Sequence, residues 1–170
     1  MDRFSFLKSK DTVSERNTGM AGTVVVKKTA DLLQEIYRNV KMASDSIVNI
    51  MPKVKNEQFK SDLTVQVSVY EAFASRCAKL LAEEGAKPVD ESVFTKMSTK
   101  WGIMMNTAKD STTEHLVQMM IEGTTMGVSE MLRWIRESEN TNVSEASLRL
   151  ARDVCSYEEK TVEDLKAYLK

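Results

Sequence analysis

The sequence predicts an all-α fold built from a few long helices, and three observations support this prediction. With only 2 Pro and 6 Gly in 170 residues, helices are favoured over a turn-rich β architecture. Apolar residues recur at three- and four-residue steps over long stretches, which is the spacing that lines one side of an α-helix. Finally, Ser111-Thr-Thr-Glu114 and Asn142-Val-Ser-Glu145 each place a short polar residue three positions before Glu, a pattern typical of a helix start.

The helix ends follow from these signals. The first bundle helix is expected to begin near Thr29 and to end before Pro52, because proline disfavours the helical conformation in the residue that precedes it. The second is expected to run from about Asn56 to Glu84, where Gly85 supplies the left-handed stop that helices often use. A shorter amphipathic helix after Asp90 is expected to form a crossover. The last two helices begin at the two capping patterns.

Each long helix carries one apolar stripe that is expected to face the core. The stripes comprise Leu32, Leu33, Ile36, Val40, Ala43, Ile47 and Ile50; Phe59, Leu63, Val67, Tyr70, Ala74, Cys77 and Leu81; Leu116, Met119, Met120, Gly123, Met126, Gly127, Met131 and Trp134; and Leu148, Ala151, Cys155, Val162, Leu165 and Leu169. A chain of 170 residues is long enough to bury such a core in one domain. We therefore assign residues 29–169 to the bundle. Residues 1–28, which lack this periodicity, are predicted to be a flexible N-terminal arm.

Charge and composition narrow the classes of partner and compartment. The formal net charge is −1, which argues against nucleic acid or an anionic membrane as a partner. No secretory signal or membrane-length apolar run is visible in the sequence, so we expect a cytoplasmic protein. Cys77 and Cys155 both fall on predicted core faces, which favours buried free thiols in a reducing compartment over a disulfide.

Glu158 is the residue that most needs an explanation, because it falls on the centre line of the last apolar stripe. A buried ionised carboxylate costs several kcal/mol unless it is paired, hydrogen-bonded or bound to a metal. The structural interpretation is a buried acid that is paired across the bundle or hydrogen-bonded to Tyr37, Tyr70 or Gln66. The functional interpretation is a variant of a metal ligand.

Two helical hairpins joined by a long crossover resemble the ferritin-like four-helix bundle superfamily. The segments Met120-Ile-Glu122-Gly, Ser156-Tyr-Glu158-Glu159 and Leu165-Lys-Ala-Tyr-Leu169 are similar to small bacterial ferritin-like domains of unassigned function. The resemblance covers about residues 29–169. It implies an up-down-down-up four-helix bundle with an extra crossover helix.

The same resemblance raises the question of a metal centre. The superfamily is known for a di-iron or di-manganese centre built from one Glu on each of two helices and a Glu-x-x-His pair on each of the other two. Here Glu71-Ala-Phe-Ala74 and Glu158-Glu-Lys-Thr161 both lack the histidine, and the single histidine of the chain, His115, falls in a predicted first turn. We therefore predict a degenerate metal site and no cofactor. The alternative is a carboxylate-only iron or manganese site that draws on Glu158, Glu130 and Glu71.

No catalytic or cofactor-binding residues can be assigned, because the sequence has no phosphate-binding glycine loop and no Cys/His metal spacing. We predict a non-catalytic structural or interaction role with self-association, as a homodimer. A second interpretation comes from methionine, since seven of the 11 Met residues lie between Met97 and Met131. Such residues suit a groove that binds an apolar partner, although at helical spacing they more often fill a core. Exposure of these side chains distinguishes the two interpretations.

Overall fold

A computed structural model describes the backbone of residues 14–89 and 112–169, and side chains from residue 28 onward within those ranges. It contains four long helices, which we number α1 (Ser14–Ile50), α2 (Glu57–Glu83), α3 (Thr113–Glu139) and α4 (Glu145–Lys166), with a 3-10 turn at Met51–Lys53. No strand occurs in these two described ranges. The predicted all-α four-helix bundle is confirmed. The predicted crossover helix after Asp90 lies outside the described residues.

The four helices form two hairpins. A short connection joins α1 to α2 and another joins α3 to α4, whereas residues 84–112 separate the two hairpins. Helix α1 packs against α2, α3 and α4, and α2 also packs against α4. The long connection lets α2 and α3 point the same way, which gives the up-down-down-up order predicted from the sequence.

Local capping fixes the helix ends. The side chain of Asn56 accepts a hydrogen bond of 2.9 Å from the Phe59 N–H, and Gly85 adopts a φ of 70°, as expected. Helix α3 is capped by Thr112, whose hydroxyl accepts from the His115 N–H at 3.3 Å. Helix α4 is capped by Ser144, whose hydroxyl accepts from the Ser147 N–H. Both caps lie later in the chain than Ser111 and Asn142 because several neighbouring residues can accept this bond.

The start of α1 corrects the sequence-based boundary. The helix begins at Ser14 rather than near Thr29. Thr29 is not a cap; it is buried, and its hydroxyl accepts a hydrogen bond of 3.2 Å from the Ser144 N–H. Its polar side chain thus ties α1 to the turn between α3 and α4. Residues 14–28 are helical, so helix extends into the arm predicted for residues 1–28, and the flexibility of that arm stays a prediction.

The predicted stripes form most of the core. Nearly all of their members are buried or packed against the buried cluster. Met126, Val162 and Leu169 are the exceptions: Met126 is 52% exposed, Leu169 is also exposed, and Val162 is half-buried. Met126 precedes Gly127, which faces inward, so its own side chain turns outward along the helix. The periodicity therefore predicted the buried face of α3 correctly, but it included Met126, which lies just outside that face.

The two cysteines are free and buried, as predicted. The Sγ of Cys77 donates a hydrogen bond of 2.9 Å to the Leu33 carbonyl. Burial raises the pKa of Cys77 to about 12 and that of Cys155 to about 11. Both groups are therefore protonated, unreactive thiols at neutral pH. None of the described helices is long and apolar enough to cross a membrane.

Candidate functional site

The candidate site is centred on Glu158, which lies in the middle of α4 and is only 1% exposed. Its hydrogen-bond partner is Asn39 on α1, itself buried. The Asn39 Nδ2 donates to both carboxylate oxygens, at 3.1 Å to Oε1 and 3.3 Å to Oε2. Burial of Glu158 is as the sequence predicts, and the contact joins the first and last helices of the bundle.

The environment of Glu158 favours its neutral form. Burial raises the pKa of this carboxyl group from about 4.5 to about 8, and the hydrogen bond from Asn39 only partly opposes this increase. Desolvation has this effect because it penalises the charged state of an acid. At neutral pH the centre of the bundle therefore tends to hold a protonated carboxyl group.

Helix α3 reaches this pair with backbone alone. A Cβ added to Gly127 would lie 2.9 Å from Oδ1 of Asn39 and 3.3 and 3.4 Å from the two oxygens of Glu158. A separation of 2.9 Å is shorter than real Cβ contacts, so a side chain at this position would displace the pair. The glycine thus permits α3 to approach the contact between Asn39 and Glu158.

A cavity of about 40 Å³ adjoins the carboxyl group between α1, α2 and α3. Its described lining comprises Asn39, Met42, Ala43, Ser46, Ile47, Ile50, Gln66, Tyr70, Met120, Gly123, Thr124 and Glu158. The Oε1 of Gln66 is buried here without a hydrogen-bond partner. Such an acceptor is costly to leave unmatched, so the cavity offers an unused polar contact.

Tyr70 closes the α2 side of the site. Its ring packs edge-on against Tyr157, with centroids 5.4 Å apart. Burial, followed by the nearby Glu158 charge, raises the pKa of Tyr70 well above its usual value. The phenol therefore stays protonated and remains available as a hydrogen-bond donor.

The partner of Glu158 corrects the sequence-based prediction. Tyr37, Tyr70 and Gln66 were expected to bind the carboxylate, and Asn39 does so instead. Gln66 and Tyr70 line the adjoining cavity. Asn39 lies three residues after Ile36 and four before Ala43, which places it on the first apolar stripe. A polar residue on that stripe was the signal that could have identified it.

The other two carboxylate candidates lie elsewhere. Glu71 is 48% exposed and accepts from Lys41 Nζ at 2.8 Å and Ser44 Oγ at 2.7 Å. These bonds lower the pKa of Glu71, with Lys41 the larger cause. Glu130 is exposed and pairs with Arg133 at 2.6 Å. No group of three or more His, Cys, Asp or Glu residues that could hold a metal occurs among the described residues.

The methionines are divided between core and surface. Met119, Met120 and Met131 are buried, whereas Met126 is exposed. Met97, Met104 and Met105 lie outside the described ranges. The described methionines of this set thus mostly fill the core, although Met120 also lines the cavity beside Glu158.

Comparison with known proteins identifies the fold. No protein-family model matches the sequence, and no curated protein matches it either. A solved structure, the dodecameric thioferritin described as the bacterioferritin-related protein from Bacteroides fragilis, is similar with a TM-score of 0.68. The similarity covers 91% of this chain and 92% of that chain, at 13% sequence identity. The fold is ferritin-like. This confirms the resemblance inferred from the helix layout.

The same comparison corrects the expectation of no cofactor. The similar structure is named a thioferritin and is bacterioferritin-related, and this finding contradicts that expectation. Whether a metal fits inside this ferritin-like bundle depends on the residues at its centre.

A conventional dimetal centre does not fit the bundle centre. Such a centre draws Glu ligands from all four helices and histidine from two. Among the described residues that meet here, α1 provides the amide of Asn39, α3 has a glycine at position 127, and Glu158 is the only carboxylate. His115, in the first turn of α3, does not line the cavity. The described residues at this position therefore do not form a dinuclear metal site.

Proposed function

We propose that this chain is a subunit of a self-associating ferritin-like assembly that holds iron as cargo and lacks a dimetal centre inside its own bundle. The close approach of Gly127 to Asn39 and Glu158 carries this proposal, because it leaves no space for a ligand side chain at this position of α3. The similarity to a thioferritin makes iron the metal to test. The proposed role is non-catalytic, since the described residues at the bundle centre supply neither imidazole nor a second carboxylate to cycle the metal.

Two features support self-association. The similar thioferritin is dodecameric, and the first hairpin of this chain exposes apolar side chains at Val48, 54% exposed, and Val65, 60% exposed. A subunit contact would cover these exposed apolar side chains. A homodimer is the smallest assembly that would cover it. Free buried thiols at Cys77 and Cys155 fit a reducing, cytoplasmic setting.

The assembly is tested by mass measurement in solution. Light scattering of the purified chain should give a mass that is a multiple of 19.2 kDa, and replacing Val48 and Val65 together by Asp should lower it. Leu132→Asp on α3, which places the same charge on an exposed apolar site of the other hairpin, is the matched control. A monomeric wild type would overturn the proposal, and sensitivity to Leu132→Asp alone would place the contact on the second hairpin.

Iron handling is tested by loading the protein with ferrous iron. We expect iron to remain with the assembly after gel filtration, while the rate of iron oxidation stays close to that in buffer alone. Rapid oxidation of about two irons per subunit, as a dinuclear centre would give, would contradict the non-catalytic proposal. Retention of no iron at all would contradict the cargo role.

A carboxylate-only metal site at Glu158 is the second candidate function, with Glu71 and Glu130 as weaker alternatives, since each of those is already paired with a cation. The observation in its favour is a buried carboxyl group beside a small cavity. Denaturant midpoints of wild type and Glu158→Gln, each with and without chelator, decide the matter. A metal site predicts a chelator-sensitive wild type and an insensitive variant.

A further inference from the structure

The cavity beside Glu158 has the form of a small binding site. Its floor is formed by buried side chains, Asn39, Tyr70 and Glu158, whereas Ser46 and Gln66 at its rim are half-buried. A volume of about 40 Å³ exceeds the roughly 10–15 Å³ that one water needs by this measure. The cavity therefore has space for a solute of a few heavy atoms beside the carboxyl group.

The charged group and the unmatched group of this site are both acceptors without a cation beside them. Among the described residues, Glu158 receives hydrogen bonds from the neutral amide of Asn39, and the Oε1 of Gln66 is buried without a donor. No Lys, Arg or His occurs among the described residues that line the cavity. A buried carboxyl group without an opposite charge takes up a proton, so a cation beside it would favour the ionised form.

The remaining walls are apolar. Ile47 and Ile50 of α1 and Met120 of α3 face the same space. Such walls can cover a short alkyl chain but offer nothing to a fully hydrated ion. The thioether of Met120 can adapt its shape to a ligand at little cost.

We propose that this cavity binds a small primary alkylammonium ion, with its charged head between Glu158 and the Oε1 of Gln66 and its alkyl chain against Ile47, Ile50 and Met120. The ammonium group supplies the missing cation and carries three donors. Two of these can meet the carboxylate and the unmatched amide oxygen. This inference concerns an organic ligand and is independent of the iron role proposed above.

The chemistry of the site favours this ligand over the two obvious alternatives. A transition metal needs several anionic or imidazole ligands in its first shell, and only one carboxylate is present, already bonded to an N–H group of Asn39. A neutral alcohol of the same size would fill the apolar part but leave the carboxylate without its opposite charge.

The test uses propylammonium chloride, with n-propanol as the neutral probe of the same shape. Methyl-labelled methionine spectra of the full chain are recorded at about pH 9, where Glu158 is ionised and a primary amine still carries its proton. We expect the Met42 and Met120 signals to shift on titration because both residues line the cavity. The exposed Met126, which does not line it, is the internal control.

Two variants test whether the charge of Glu158 binds the ammonium group. Glu158→Gln keeps the shape of the side chain and is expected to weaken propylammonium binding by about tenfold or more, the effect of one lost charge-assisted hydrogen bond. Glu159→Gln makes the same change on an exposed neighbouring residue and should leave the affinity within about twofold. The unshifted Met126 signal and retained helical spectrum show that each variant is folded.

Three outcomes would overturn the proposal. The first is an absence of any shift at Met42 and Met120 on addition of propylammonium. The second is equal affinity for n-propanol, which would show an apolar cavity without charge recognition. The third is equal binding by the Glu158→Gln variant. Shifts produced by manganese but not by propylammonium would likewise reject the organic ligand in favour of a metal.

Discussion

Glu158 in the bundle interior and Glu71 on its flank carry the same carboxyl group, but their surroundings shift its pKa in opposite directions. At Glu158 the carboxyl group is buried, receives hydrogen bonds from a neutral amide, and has its pKa raised to about 8. At Glu71 the carboxyl group is half-exposed, pairs with Lys41, and has its pKa lowered. Both residues were metal-ligand candidates in the sequence.

The contrast shows that the position of a Glu on its helix determines whether its carboxyl group is desolvated or paired with a cation. Glu158 lies on the apolar stripe of α4, so folding removes its water, whereas Glu71 lies at the margin of α2, where Lys41 can reach it without full desolvation. The interior acid therefore opposes folding when it is ionised, and the flanking acid supports it. Measurements on each carboxyl group test whether the two pKa values shift in opposite directions.

The largest effect is expected for the pH dependence due to Glu158. Its folded pKa of about 8 lies above the ordinary value near 4.5, so the folded state binds more protons than the unfolded state between these pH values. This contribution to the free energy of unfolding is greatest below about pH 4.5, falls as pH rises, and is lost above about pH 8. The total decrease is about 3–5 kcal/mol.

Replacing Glu158 by Gln should remove this dependence of the free energy of unfolding on pH. We expect the variant to be close to wild type at about pH 5 and more stable than wild type at about pH 9, as measured by urea denaturation at each pH. Glu159→Gln, the exposed neighbour, should retain the wild-type slope. An unchanged slope in Glu158→Gln would mean that the interior acid is already compensated, and the contrast with Glu71 would fail.

The next effect concerns the backbone contact of α3. Gly127→Ala places a Cβ 2.9 Å from Oδ1 of Asn39, and we expect it to lower stability by about 1–3 kcal/mol as the pair is displaced. Helix propensity alone would favour alanine by about 1 kcal/mol, so even a neutral result would indicate strain. Ser129→Ala, at an exposed position on the same helix, is the control and should change stability little. Stabilisation by Gly127→Ala beyond that of the control would show that the contact is loose.

Much of this arrangement could be predicted from the sequence, and the failures share a cause. Periodicity predicted four helices, their buried faces and the burial of Glu158, because hydrophobic spacing alone determines which side of a helix faces inward. It did not identify Asn39 as the partner of Glu158. A partner on another helix depends on axial register and crossing geometry, which no single helix encodes.

The N-terminal boundary failed for a related reason. Residues before Thr29 lack an apolar stripe, yet α1 continues back to Ser14. A helix already started by the packed segment adds residues at little cost, since propagation is much easier than nucleation. The absence of a metal cluster in the described bundle likewise could not be decided from residue types, because Glu71, Glu130 and Glu158 become neighbours or remain apart only through the three-dimensional fold.

The smallest effect is expected at Glu71, and its sign is opposite to that at Glu158. Because hydrogen bonds from Lys41 and Ser44 lower its pKa, its contribution to stability is present above the ordinary value near 4.5 and is lost as pH falls through the folded pKa. Glu71→Gln should therefore cost about 0.5–1 kcal/mol at neutral pH, little because the pair is half-exposed. The cost should diminish in high salt, which screens exposed charges.

A double-mutant cycle with Lys41→Met measures the pair directly and should give a coupling below about 1 kcal/mol. A coupling several times larger, or one that high salt leaves unchanged, would mean that the flank is as desolvated as the interior, and the two carboxyl groups would then differ only in whether a cation lies beside them.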